Sequence, residues 1–231
     1  MIDSIHPKNA SDQMDVMLSG AHGQFGRAIE AVLETENSMR VVARYDRATG
    51  FAGQAIGHVI IDVSHHSQTP DVVAFALDYQ LPLVIGTTAL SEATQAQIIQ
   101  AGEHIAICQA SNFSLGANVL AQLAALAAKH LPEFGVHIKE THHIHKLDAP
   151  SGTAKSLQAA IEKVSDQGIT HESIREGDVV GTHEVVFSGI DETLTLCHEA
   201  TDRRVFAHGA VLAAAKLIGR PAGLYALTDL I

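Results

Sequence analysis

The sequence predicts a two-part chain: an α/β region built on a doubly wound parallel sheet, followed by an α+β region with a mixed sheet. Three observations carry this reading. Short apolar runs alternate with amphipathic stretches over roughly residues 14–112, the pattern of strands joined by helical crossovers. A glycine-rich turn, Gly20-Ala21-His22-Gly23-Gln24-Phe25-Gly26, follows the first of those runs. Beyond residue 113 the alternation gives way to a long helix, a strand, a second helix and a hairpin.

The first run, "MDVMLSG" (Met14–Gly20), reads as a strand, and the stretch after it carries Ala28, Ile29, Val32 and Leu33 at helical spacing. "RVVARYD" (Arg40–Asp46), "HVIIDVS" (His58–Ser64), "LPLVIGTT" (Leu81–Thr88) and "HIAICQAS" (His104–Ser111) supply four more strands. Helical stretches run from Pro70 to Tyr79 and from Ser91 to Ala101. "SLGANVLAQLAALAAKHL" (Ser114–Leu131) is a long helix with Leu115, Val119, Leu123 and Leu126 on one stripe, stopped near Pro132. "GVHIKETHH" is a strand, and the next helix passes through Leu157, Ala160, Ile161 and Val164. "THEVVFSGIDETLTLCHEA" folds back at Gly189-Ile190-Asp191 as a hairpin. The last helix, "GAVLAAAKLIG", ends at Gly219 with Pro221 beyond it.

Composition removes several classes of function. The 231 residues are 46% hydrophobic and 18% charged, an ordinary globular balance. A net charge of −11 argues against a basic face that grips nucleic acid, while a few cations focused in a cleft still suit a small anion. The two cysteines, Cys108 and Cys197, form no C-x-x-C pair, which fits a reducing cytoplasm and disfavours a structural zinc site. No apolar run is long enough for a bilayer. Residues 1–13 are polar and read as a flexible leader.

The glycine turn fits G-x-x-G-x-x-G, a variant of the dinucleotide fingerprint of Rossmann-like domains. Gly20 permits the tight turn, Gly23 lets the backbone approach a pyrophosphate, and Gly26 packs helix on strand. The helix start then offers N–H donors to phosphates. Asp46 ends the second strand, 26 residues past Gly20, and Arg47 follows it. An acid there bonds the ribose hydroxyls of NAD, whereas an arginine holds the 2′-phosphate of NADP. Having both leaves the choice between NADH and NADPH open.

"KETHHIHKLDAPSGTAKS" (Lys139–Ser156) raises the second functional question. On a strand His142 and His143 point to opposite faces and do not converge on one ligand unless the strand ends or twists there. A metal would need Glu140 or His145 as well, and no H-E-x-x-H motif is present, so no metal is expected. A structural reading has the histidines satisfying local backbone groups and Asp148-Ala149-Pro150-Ser151 acting as a turn and helix cap. The reading that uses every part makes Ser151-Gly152-Thr153 an anion receptacle at a helix start, with Lys146 and a histidine supplying charge and a proton. That suits the reduction of a small carboxylate.

"ETHHIHKLDAPSGTA" (Glu140–Ala154) closely resembles the signature of the 4-hydroxy-tetrahydrodipicolinate (dihydrodipicolinate) reductases. The resemblance extends to "GAHGQFGR", "VIGTT", "ASNFSLGANVL" and "FAHGAVLAA", nearly the whole chain after the leader. It implies a cytoplasmic, homotetrameric enzyme of diaminopimelate and lysine biosynthesis. Such an enzyme reduces a small cyclic dicarboxylate with NADH or NADPH. The implied cofactor domain spans 14–112 plus 209–231, with a substrate and assembly domain at 113–208. By motif, His142 and Lys146 are the catalytic pair. His143, Ser151, Gly152, Thr153 and Arg203 would contact the substrate. Gly20, His22, Gly23, Gln24, Phe25, Gly26, Asp46 and Arg47 would hold the nucleotide, and Gly86, Thr87, Thr88, Ala110, Asn112 and Phe113 would line the nicotinamide. His145 receives no role.

Two departures stand out. "RATGFAGQAIG" is shorter than the corresponding family segment, and Val63-Ser64-His65 stands where the family commonly has Phe-Thr/Ser-Arg or Lys. Losing a permanent cation there makes the grip on the pyrophosphate weaker or pH dependent. A reductase of another small carboxylate and a nucleotide-binding homologue without turnover are the competing readings.

Overall fold

The computed structural model describes residues 13–36, 38–46 and 56–231. The chain forms two compact units, Met1–Phe113 with Phe206–Ile231, and Ser114–Val205.

In the first unit, β1 (Met14–Ser19) leads into α1 (Gln24–Thr35), and β2 (Met39–Tyr45) returns alongside β1. Then come β3 (Val59–Asp62), α2 (Thr69–Asp78), β4 (Leu83–Ile85), α3 (Glu92–Ala101) and β5 (Ala106–Gln109). The sheet is six-stranded and parallel, in the order β10-β5-β4-β3-β1-β2, with β10 (Gly223–Tyr225) at its edge. Val59–Asp62 and Leu83–Ile85 are buried throughout, as strands covered on both faces must be. Helix α1 buries Gly26, Ile29, Val32 and Leu33, one stripe at helical spacing. The order reverses at β1, whose neighbours β2 and β3 lie on opposite sides. That reversal opens a crevice at the carboxyl ends of β1 and β3.

The final helix, α6 (Arg204–Leu217), begins earlier than the Gly209 suggested by composition. Gly209 is fixed by packing: a Cβ there would sit 1.8 Å from the carbonyl oxygen of Phe113.

The second unit opens with α4 (Leu115–His130), followed by β6 (Gly135–His142) and α5 (Gly152–Glu162). Three strands complete it: β7 (Ile169–Arg175), β8 (Gly181–Ser188) and β9 (Thr193–Ala200). The sheet order is β7-β6-β8-β9, with β7 parallel to β6 and the other pairs antiparallel, so the sheet is mixed. One face packs on α4 and α5 through Leu120, Ala124, Ile138, Leu157, Ile161, Val185 and Phe187. The stripe of Val119, Leu123 and Leu126 on α4 is exposed instead, and alanines form the buried face. Small residues let the helix approach the sheet closely.

Candidate active site

In the first unit the glycine turn sits at the switch point. Gly20 has φ +85°, and a Cβ on it would lie 2.5 Å from the carbonyl oxygen of Val63, so only glycine fits. A Cβ on Gly26 would lie 2.2 Å from the Gly20 carbonyl oxygen. Gly23 caps α1 in an extended conformation with no side-chain cap, and no acid occupies the first turn. The uncapped N–H groups and the helix dipole suit a phosphate, and the residues present fit a dinucleotide. Nε2 of His22 lies 3.3 Å from Oδ2 of Asp46. Arg47 and most of the short segment after it lie outside the described residues.

At the next strand end, the buried Asp62 carboxylate accepts from the Ser64 N–H at 3.1 Å and from the Thr69 hydroxyl at 2.8 Å. That shapes the turn carrying His65, whose Nδ1 is 2.9 Å from Ser67 Oγ and whose ring lies 3.9 Å from that of His66. Further along, a Cβ on Gly86 would meet Phe113 at 3.0 Å and Phe25 at 3.3 Å. The glycine turn, the end of β4 and the segment after β5 therefore converge. Beside them, Thr87, Thr88, Gln95, Gln109, Ala110 and Ser111 line a cleft of about 290 Å³. Gln95 and Gln109 brace it with two reciprocal amide hydrogen bonds of 2.9 Å.

In the second unit, strand alternation builds the other cluster. Val136, Ile138, Glu140 and His142 face inward from β6, and Gly181, His183, Val185 and Phe187 from β8. The buried face is apolar at one end and polar at the other. Register places Glu140 opposite His183, and His183 opposite His198 on β9. Nδ1 of His142 lies against Oε2 of Glu140, whose Oε1 accepts from Arg175 Nη2 at 3.0 Å. Arg175 also donates to the carbonyls of Asp148 at 2.6 Å and Lys146 at 3.3 Å. Lys146 Nζ donates to Asp148 Oδ1 at 2.8 Å.

These contacts set the protonation states. Burial works to raise the Glu140 pKa, but hydrogen bonds from Ser173 and Arg175 and the charge of its neighbours outweigh it, so Glu140 stays ionised. Burial lowers the His142 pKa, against the pull of Glu140 and with help from Lys146 and Arg175. His142 is a neutral imidazole at rest. A carboxylate only accepts, so its ring proton sits on Nδ1 and Nε2 is bare. Burial, then His142, pushes His183 down to about 4.

His143 and His145 lie beyond the strand end with ring centroids 6.3 Å apart, and His145 is exposed. Ser151 caps α5, its Oγ accepting from the Ala154 N–H at 3.1 Å. Gly152 is exposed, with nothing within 4 Å of a built Cβ. Thr153 follows in the first turn. Arg203 lies exposed in the turn before α6 and takes no part in the hydrogen-bonded group around Glu140.

Sequence reasoning missed Arg175, His183 and His198 as members of this cluster. Glu140, His142 and His183 each offer a ligand atom within 4.8 Å of the others, the one such grouping found among the described residues. The third member is His183, not the His145 considered from the sequence. Arg175 already neutralises Glu140, and Lys146 adds a second cation near His142. A divalent ion would bring a third charge into a buried group, which fits poorly.

Comparison with known proteins identifies the family. The family model described as "Dihydrodipicolinate reductase, C-terminus" matches residues 116–231, and "Dihydrodipicolinate reductase, N-terminus" matches 51–113. A 4-hydroxy-tetrahydrodipicolinate reductase from Xanthomonas axonopodis pv. citri is 39% identical, covering 94% of this chain and 97% of its own. Its counterpart in Brachyspira hyodysenteriae is 34% identical, covering 94% and 100%. The dipicolinate-bound dihydrodipicolinate reductase of Paenisporosarcina sp. TG-14 shares the fold with a TM-score of 0.83 at 23% identity, over 95% of this chain and 100% of that one. The chain belongs to the dihydrodipicolinate reductase family.

Proposed function

We propose that this enzyme reduces 4-hydroxy-tetrahydrodipicolinate to tetrahydrodipicolinate, a step of diaminopimelate and lysine biosynthesis, using NADH or NADPH. The observation that carries the reading is the pairing of a carboxylate-oriented imidazole, His142 on Glu140, with a helix start whose exposed Gly152 leaves the backbone open to an anion. Balance requires one hydride and one proton delivered and one water lost. A bound nicotinamide supplies the hydride.

The protein's own groups do the rest. Ser151, Gly152 and Thr153 grip one carboxylate at the start of α5, and His143 contacts the substrate. Glu140 retains the proton on Nδ1 of His142, so the transferable proton is taken up and released at Nε2. Lys146, held by Asp148, compensates the charge of the dicarboxylate and of the transition state. Arg203 is a further substrate contact in this reading. On the cofactor side, the Gly20–Gly26 turn takes the pyrophosphate, Asp46 the ribose, and Gly86, Thr87, Thr88, Ala110, Asn112 and Phe113 the nicotinamide. The first unit with α6 serves as cofactor domain, and the second as substrate and assembly domain.

The uncovered face of the second sheet, carrying Thr195, Cys197 and Glu199, supports assembly into a homotetramer. Among the described residues no helix is long and apolar enough to cross a membrane, and two cysteines outside any disulfide suit the cytoplasm.

The test couples dihydrodipicolinate synthase to oxidation of NADH and, separately, NADPH. Turnover with either supports the reading; none with both overturns it. His142→Gln and Lys146→Ala are expected to lose about 10²-fold or more in kcat while binding cofactor normally.

A further inference from the structure

The polar end of the second unit holds a histidine that the proton and charge chemistry of His142 and Lys146 does not use. His183 is 4% exposed and lies between two partners. Its Nε2 is 3.3 Å from Ser151 Oγ, and its ring meets that of His142 edge-on at 5.0 Å. Ser151 Oγ already accepts the Ala154 N–H at 3.1 Å to cap α5. Two proton arrangements are open to the Ser151–His183 contact. If Ser151 donates to Nε2, the ring proton must sit on Nδ1, which is buried without a partner. A buried N–H without an acceptor is the costlier orphan. If Nε2–H donates to Ser151, the orphan is only a lone pair, and Oγ has accepted two hydrogen bonds. Its own proton must then point elsewhere.

We propose that His183 is a positioning residue of the carboxylate receptacle: by donating to Ser151 Oγ it turns the Ser151 proton toward the bound carboxylate, and by its edge it fixes the ring of His142. The proposal rests on the functional reading above. Two further features hold His183 in place. His198 stacks on it at 6.4 Å, and Nε2 of His198 is 3.1 Å from Ser114 Oγ at the cap of α4. Gly116 admits this approach, since a Cβ there would lie 2.5 Å from the His198 ring. The low pKa of His183 keeps it neutral with a single ring proton to place.

The test measures calorimetric binding of pyridine-2,6-dicarboxylate to the full-length protein saturated with NADH, alongside KM and kcat. His183→Phe keeps the ring but loses the donor, and is expected to weaken binding about 10-fold, with KM raised more than kcat is lowered. His183→Gln restores an N–H donor and is expected to recover most of the affinity. Ser151→Ala/His183→Phe is expected to bind no worse than Ser151→Ala alone, because the effect runs through Ser151. Unchanged affinity in His183→Phe, or losses that multiply in the double variant, would overturn the proposal. Should His183→Phe not fold, His183→Met takes its place, and Met binding as tightly as Gln would overturn it equally. A wild-type protein that binds the dicarboxylate without turnover overturns the functional reading alone. One that binds no dicarboxylate overturns both.

Discussion

Nε2 of His142 lies 3.0 Å from the point that a Cβ on Gly181 would occupy. The glycine on β8 makes room for the ring opposite it. Gly181→Ala is therefore expected to push His142 off Glu140 by a few tenths of an ångström. Since a misplacement of about 1 Å can cost about 10²-fold, a loss of roughly a few-fold in kcat is expected. Cofactor affinity and melting temperature should change little. A steady-state assay beside a thermal melt checks this, and a fully active Gly181→Ala enzyme would show that the ring position is not critical.

Removing the charge of Glu140 tests its orienting role. Glu140→Gln leaves the shape but allows the amide to donate, so the His142 tautomer is no longer fixed and Arg175 loses its counter-charge. We expect kcat to fall about 10²-fold, with some loss of stability because the partly buried Arg175 guanidinium loses its counter-charge. Arg175→Lys keeps the charge but not the fork that reaches Glu140 and three carbonyls, and should lose part of both.

Stability should depend on pH through the buried histidines. The folded pKa of His183 is lowered by burial from 6.5 to about 4. Below the unfolded value the denatured chain takes up a proton that the native chain refuses. The stabilisation is thus fully present above about pH 6.5 and is lost as pH falls toward 4, an effect of roughly 3 kcal/mol. His142 and His198, lowered in the same direction by burial, reinforce it. Denaturant melts between pH 4 and 7.5 would show the decline, and His183→Phe should flatten it. An equal slope in that variant would assign the decline to other groups.

At the nucleotide turn, Gly26→Ala forces a methyl to within 2.2 Å of a backbone oxygen in the same turn. The turn must shift, so NADH and NADPH affinity should drop at least 10-fold while dicarboxylate binding is spared. Fluorescence titration with each ligand separates the two effects, and equal cofactor affinity would place the nucleotide elsewhere.

Much of the fold was legible because parallel strands buried on both faces are plain apolar runs, such as Ile60-Ile61 and Leu83-Val84-Ile85. Strand β7 was not. Its sequence, "ITHESIR", lies at a sheet edge, alternates weakly and is mostly polar or charged. Strand β10 has only three residues, too few for any period. On α4 the leucines drew attention to a stripe that is exposed, since hydropathy favours leucine while close packing on a sheet favours alanine.

The site divided in the same way. Period-two alternation could place His142 inward but not His143, because β6 ends at His142, and the helix start at Ser151 could be read from its capping sequence. His183 and His198 could not be joined to them, because nothing local encodes register. Each is a polar residue on an inward strand position, and only the pairing of β6, β8 and β9 brings them into one row with Glu140.

The division of the second sheet's inner face into an apolar and a polar end has a practical corollary for engineering. Rigidity can be sought around Val136, Ile138, Val185 and Phe187, which pack against the apolar residues of α4 and α5. Substitutions nearer Gly181 would trade directly against turnover. Thermostable variants that keep full activity should therefore gather at one end of a single sheet, only a few residues along the same strands from the histidines they leave alone.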